Sequence, residues 1–208
     1  MAESVDLKVL ETKAWRSTFQ DGIWDIFFGL LFLGFGFSVL ANQIFDLGTI
    51  IILIPWNIAT VLILCLGKKF LTIPRLGFVK FSNKRKKTRK FILIFTTINV
   101  AFALFLLILS YLGLSGWFQL NPLLDPLIIG FLVITFPLSI FGFFLDFYRL
   151  IFYSVLAGLG FFLSELFYPI TGSPFDIFLS FFLIGFTIVI IGLIYLIKFL
   201  QEYPRIKD

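Results

Sequence analysis

Apolar residues along this chain come in long unbroken runs, at about 23–41, 48–66, 91–113, 126–145, 150–167 and 176–197, separated by short polar breaks. A hydrocarbon core of about 30 Å is crossed by roughly 17–25 helical residues, and each run has that length. Backbone in lipid must satisfy its own hydrogen bonds, which selects helices over open strands. The pattern predicts an all-α, polytopic transmembrane bundle of six spans over residues 23–198. A leader of residues 1–22, suited to an interfacial helix, precedes it, and a tail of residues 199–208 follows.

One boundary is nearly invisible in the pattern. An unbroken helix over residues 126–167 would be about 60 Å long, twice the hydrocarbon thickness. A break is therefore required within FLDFYRLIFY at 144–153, at Asp146 and Arg149, with Gly142 as the helix terminator.

Composition agrees with the pattern: 14% of residues are charged, against about 25% in soluble domains, and mean hydropathy is +1.05. The leader carries Glu3, Asp6, Glu11 and Asp21, unlike a cleaved signal segment. A single cysteine, Cys65, rules out an intramolecular disulfide and a cysteine-held metal cluster.

Charge sets orientation. Residues 67–90 hold ten of the 17 basic residues and no acid. Short cytoplasmic loops favour Lys and Arg, so this loop is expected on the cytoplasmic side of a cell membrane. Six spans then place both termini and the turn at 146–149 on that side, which accounts for the remaining Lys8, Lys13, Arg16, Arg149, Lys198, Arg205 and Lys207. The three opposite loops, near 42–47, 114–125 and 168–176, contain no basic residue. Trp24, Tyr148, Tyr153 and Tyr195 fall near the inner boundary and Tyr111, Trp117 and Tyr168 near the outer one, as interfacial belts require.

The cationic loop suggests a role as well as an orientation. Lys68, Lys69, Arg75, Lys80, Lys84, Arg85, Lys86, Lys87, Arg89 and Lys90 are expected to contact anionic lipid headgroups, each contributing about 1 kcal/mol near the surface. A protein partner or a second copy of the chain is the other class of occupant. No motif points to specific nucleic-acid recognition. Within the loop, Pro74 is expected to end the helical extension of the second span and Gly77 to permit a turn. TIPRLGFVKF at 72–81, directly after a span, together with FQDG at 19–22, resembles segments of small prokaryotic polytopic membrane proteins that have no assigned activity. The resemblance covers residues 15–90 and implies a membrane fold alone.

Polar groups inside spans should face protein, because lipid-facing ones are costly. Asn57 and Asn99 lie at matching depths in the second and third spans and are expected to hydrogen-bond. Glu165, within the fifth span, is the least readily explained acid. Gly22, Gly29 and Gly36 repeat every seven residues, and Ser154, Ala157, Gly158, Gly160 and Ser164 crowd the fifth span, as close helix packing requires. Asp125 and Asp176 read as first-turn acids of helices that start after Pro122 and Pro174, while Asp21 and Asp25 read as helix-start acids at the inner boundary.

Enzymatic chemistry has little support. The chain has no histidine, no Gly-rich phosphate loop and no nucleophile with an evident base, and no cofactor is implied. A membrane enzyme would need a cleft joining Asp21, Asp25 and Arg75. The leading reading is a non-enzymatic multi-pass protein whose basic loop engages anionic lipid or a partner. The alternative is a small transporter or channel with a polar site near Asn57, motivated by Pro55, Pro137 and the acidic outer rim.

Overall fold

The computed structural model describes residues 19–46, 48–76, 94 and 124–204 of the chain. Apart from position 94, the run at 91–113 lies outside the described residues, and with it the expected Asn57 to Asn99 bond. So do Lys80, Lys84, Arg85, Lys86, Lys87, Arg89 and Lys90. The described residues are helical, without strands, and include five helices long and apolar enough to cross a membrane: α1 (Ile23–Phe45), α2 (Thr49–Arg75), α3 (Leu124–Phe144), α4 (Tyr148–Thr171) and α5 (Phe175–Glu202).

Three of the four helix contacts join sequence neighbours, and the most extensive one joins the first helix to the last. α1 packs most extensively on α5; α5 also packs on α4, α4 on α3, and α1 on α2, giving the order α2, α1, α5, α4, α3. Glycine explains the closest pair. A Cβ on Gly29 would lie 2.8 Å from both the Gly185 carbonyl oxygen and the Val189 nitrogen, and one on Gly185 would lie 2.7 Å from the Gly29 carbonyl oxygen. Backbones that approach this closely leave no room for a side chain, and membrane helices use such contacts in place of the hydrophobic effect. Gly36, one heptad further on, faces Phe178 and Phe181. On the other flank of α4, Gly158 packs on Gly130 and Thr135 of α3. The core between these seams contains Phe19, Phe32, Phe147, Leu150, Tyr153, Ala157, Phe181, Ile184 and Ile188.

The break between α3 and α4 is a three-residue turn. Asp146 adopts the left-handed conformation, with φ 56°. The Phe147 N–H donates to the Gly142 carbonyl at 2.8 Å and the Asp146 N–H to the Phe143 carbonyl at 3.3 Å. This is a Schellman closure, which satisfies the last carbonyls of α3. The expected roles are thus redistributed: Asp146, not Gly142, is the left-handed terminator, and Arg149 belongs to the first turn of α4. Gly142 is small for another reason, since a Cβ there would lie 2.9 Å from the Ile151 side chain of the returning helix.

Pro74 does not end α2. The helix passes through a π-turn at Lys68–Thr72, in which the Ile73 N–H reaches back to the Lys68 carbonyl, and continues through Ile73–Leu76. The wider turn removes the clash that a proline ring otherwise makes with the carbonyl four residues earlier. The same device recurs in α3, where a π-turn at Phe131–Thr135 precedes Pro137. In both, a threonine closes the π-turn two residues before the proline, and its hydroxyl bonds another segment of the chain.

Candidate functional site: a buried ionic cluster at one end of the bundle

Five helix ends meet at one end of the bundle: the starts of α1 and α4 and the ends of α2, α3 and α5. Asp21 and Asp25, four residues apart, flank the start of α1, and both are fully buried. Gly22 between them is left-handed, with φ 75°, and abuts the Gly192 carbonyl of α5, so the chain turns into α1 against α5.

Each acid is held by a different helix. One Asp21 oxygen accepts the Ile23 N–H at 3.2 Å, which satisfies a free amide at the start of α1. The other accepts the Thr72 hydroxyl and lies 2.5 Å from Lys68 Nζ, tying α1 to the π-turn of α2. Asp25 accepts the Tyr153 hydroxyl at 2.7 Å on one oxygen and lies 3.2 Å from Arg149 Nη2 on the other, tying α1 to α4. Arg149 also donates to the Phe19 carbonyl, and its guanidinium lies 3.7 Å from the centre of the Tyr195 ring on α5. A planar, weakly hydrated guanidinium suits such a stacked, half-buried position better than an ammonium would.

Two buried acids are thus balanced by two cations, with a threonine and a tyrosine hydroxyl completing the set. Buried charge is tolerable only when paired and hydrogen-bonded in this way. Arg149 Nη1 is buried and has no hydrogen-bond partner among the described residues.

Sequence reasoning located part of this cluster. It placed Asp21 and Asp25 at the inner boundary but read them as helix-start acids, whereas they are mainly interhelical ligands for cations. The cation it named for a joint cleft, Arg75, is not there: Arg75 Nη1 donates to the Leu71 carbonyl of its own helix at 2.8 Å. Tyr153, expected in an interfacial belt, is 1% exposed. The overlooked signal was a second spacing of four, Arg149 to Tyr153, at the same end of the fifth span.

The other expected residues are dispersed. Lys69 is exposed, its Nζ 5.6 Å from the centre of the exposed Phe70 ring. Glu165 is half-buried on α4 near the opposite end, and Asp176 lies buried in the first turn of α5. Asn57 borders a cavity of about 240 Å³ whose other walls are Leu31, Phe32, Phe35, Leu53, Ile134, Phe161 and Phe181. Among the described residues, Asn57 is the one polar side chain on these walls. Among the described residues, no cluster of Cys, Asp and Glu suited to a metal ion is present.

Compared with protein-family models, with curated proteins and with solved structures, the chain finds no match.

Proposed function

We propose that the chain is a multi-pass protein of the cell membrane, with six spans and both termini cytoplasmic, whose basic face engages anionic lipid headgroups. The observation that carries this reading is the separation of charge between the two ends of the bundle. Lys68, Lys69, Arg75, Arg149 and Lys198 all gather at the end where α1 starts, and the described residues of the other end contain no basic residue. The chain leaves α2 at the basic end and starts α3 at the opposite one, which supports assigning a sixth crossing to the apolar run at 91–113, a run of sufficient length.

The cluster itself favours a structural lock over a reactive centre. Its acids and cations neutralise one another, and Arg75 donates to the Leu71 carbonyl of its own helix. Lys69 and Arg75 have no acidic partner among the described residues, and seven more cations follow within the loop. The reading assigns headgroup contact to the exposed Lys69 and to these loop cations.

The test uses the full chain in nanodiscs of neutral lipid doped with anionic lipid. Anionic lipid retained after detergent exchange is compared between wild type and a variant carrying K84Q, R85Q, K86Q, K87Q, R89Q and K90Q. At about 1 kcal/mol per surface charge, the variant should lose at least about tenfold in enrichment, and added salt should shrink the difference. Equal enrichment in both proteins would eliminate the lipid reading, and a copurifying protein lost with the same charges would assign the face to a partner.

A further inference from the structure

The last turns of α5 form a second polar site. α5 has 28 residues, about 42 Å at helical rise, against a hydrocarbon core of about 30 Å. If Phe175 marks one boundary, roughly 20 residues bring the helix to the other near Tyr195, and Lys198 to Tyr203 stand at headgroup depth. There Gln20, Tyr195, Lys198, Phe199, Glu202 and Tyr203 line an open pocket of about 250 Å³. That is smaller than the roughly 300–1,000 Å³ typical of sites for drug-sized ligands.

We infer that this pocket holds the headgroup of a zwitterionic phospholipid bearing a primary ammonium, with its phosphodiester on Lys198 and its ammonium on Glu202. The inference rests on the membrane-spanning reading but not on the anionic-lipid reading. Three observations carry it. The pocket supplies one cation and one anion, on successive turns of one face, so its own charge sums to zero and suits a ligand of both signs. Lys198 Nζ and Glu202 Oε1 are 3.8 Å apart and both side chains are largely exposed, so their mutual pairing is weak and a ligand can replace it. Of the three lining aromatics, Tyr195 has Arg149 over its ring at 3.7 Å and Phe199 is buried, which leaves the exposed Tyr203 alone, too few rings to cage a quaternary ammonium. The carboxylate and the Gln20 amide oxygen instead offer hydrogen-bond acceptors, which a primary ammonium can use and a quaternary one cannot.

The experiment places the full chain in nanodiscs of equal parts phosphatidylethanolamine and phosphatidylcholine and counts, by native mass spectrometry, the lipids that survive detergent exchange. Wild type should retain phosphatidylethanolamine over phosphatidylcholine by about threefold, the scale of an exposed charge interaction. E202Q should bring the ratio toward one, whereas K198Q, which loses the contact to a phosphodiester common to both lipids, should lower the retention of both. Because both residues are exposed, these variants should melt with wild type, so a lost preference is not a folding defect. The loop variant with six glutamines should keep the ratio unchanged, which separates this site from the basic face. A wild-type ratio of one, or an unchanged ratio in E202Q, would overturn the inference. Competition by soluble phosphoethanolamine at the same concentration as the lipid would overturn the assignment to a lipid.

Discussion

Replacing Arg149 by methionine isolates the charge balance on which the basic end depends. Asp25 is fully buried, and R149M would leave its carboxylate with the Tyr153 hydroxyl but without its cation at 3.2 Å. The same change removes the donor to the Phe19 carbonyl and the guanidinium over Tyr195. Removing one partner of a buried pair costs about 3–5 kcal/mol. For a chain of this size each kcal/mol moves the unfolding midpoint by about 2–4 °C, so R149M should melt roughly 6–20 °C lower. D25N should cost less, about 1–3 kcal/mol, because the amide oxygen still accepts from Tyr153 and Arg149 is 22% exposed and can reach water. The double variant D25N/R149M removes both charges and should fall short of the summed single losses by about 2 kcal/mol. Thermal unfolding in micelles, followed by tryptophan fluorescence, measures all three, with K198Q as the exposed control expected to cost at most about 1 kcal/mol. Strictly additive losses, or an R149M midpoint within about 2 °C of wild type, would refute the reasoning.

Helix packing and the π-turn give two further tests by the same melting assay. G29A should cost about 1–3 kcal/mol, since its methyl meets the backbone of α5 at 2.8 Å, whereas G48A, whose methyl meets nothing within 4 Å, should be neutral or slightly stabilising. Equal effects of the two would remove the close α1–α5 contact from the account. T72V should cost about 1–3 kcal/mol because it deprives the buried Asp21 of a donor, while T60V, whose hydroxyl donates to the Trp56 carbonyl of its own helix, should change stability by less than about 0.5 kcal/mol. A T60V loss as large as that of T72V would show that the Thr72 hydroxyl has no special interhelical role.

Runs of apolar residues were legible because lipid imposes one local rule on every span. The sequence places five runs where α1 to α5 lie, and errs where polar residues belong to helices. The second run stops at residue 66 in the pattern because Lys68 and Lys69 follow, yet the helix carries both of them onward and turns Lys68 inward to Asp21. Proline misled for a related reason: the cost of Pro74 is absorbed by a π-turn, a backbone adjustment with no periodic signature in the residues. Small-residue spacing was informative, since Gly22, Gly29 and Gly36 share one face whatever their partner is. Their partner was not legible, because which helices meet depends on the order α2, α1, α5, α4, α3, and hydropathy carries no such order. The ionic cluster was half legible for that reason. Asp21 and Asp25 were visible as a pair, but Lys68 and Arg149 reach them only through the tertiary arrangement, 47 residues away from Asp21 and 124 from Asp25 respectively.

The central claim is that the basic loop, the ionic cluster and both termini share the cytoplasmic side of a six-span bundle. Single-cysteine labelling in intact cells with a membrane-impermeant maleimide tests it directly, in a Cys65→Ser background that removes the only native thiol. Cysteine at Arg85 or at Pro204 should label only after permeabilisation, and cysteine at Leu120 or at Ser173 should label from outside. Labelling of the Arg85 and Leu120 positions from the same side would contradict the sixth crossing, and labelling of the Arg85 position in intact cells would contradict the orientation.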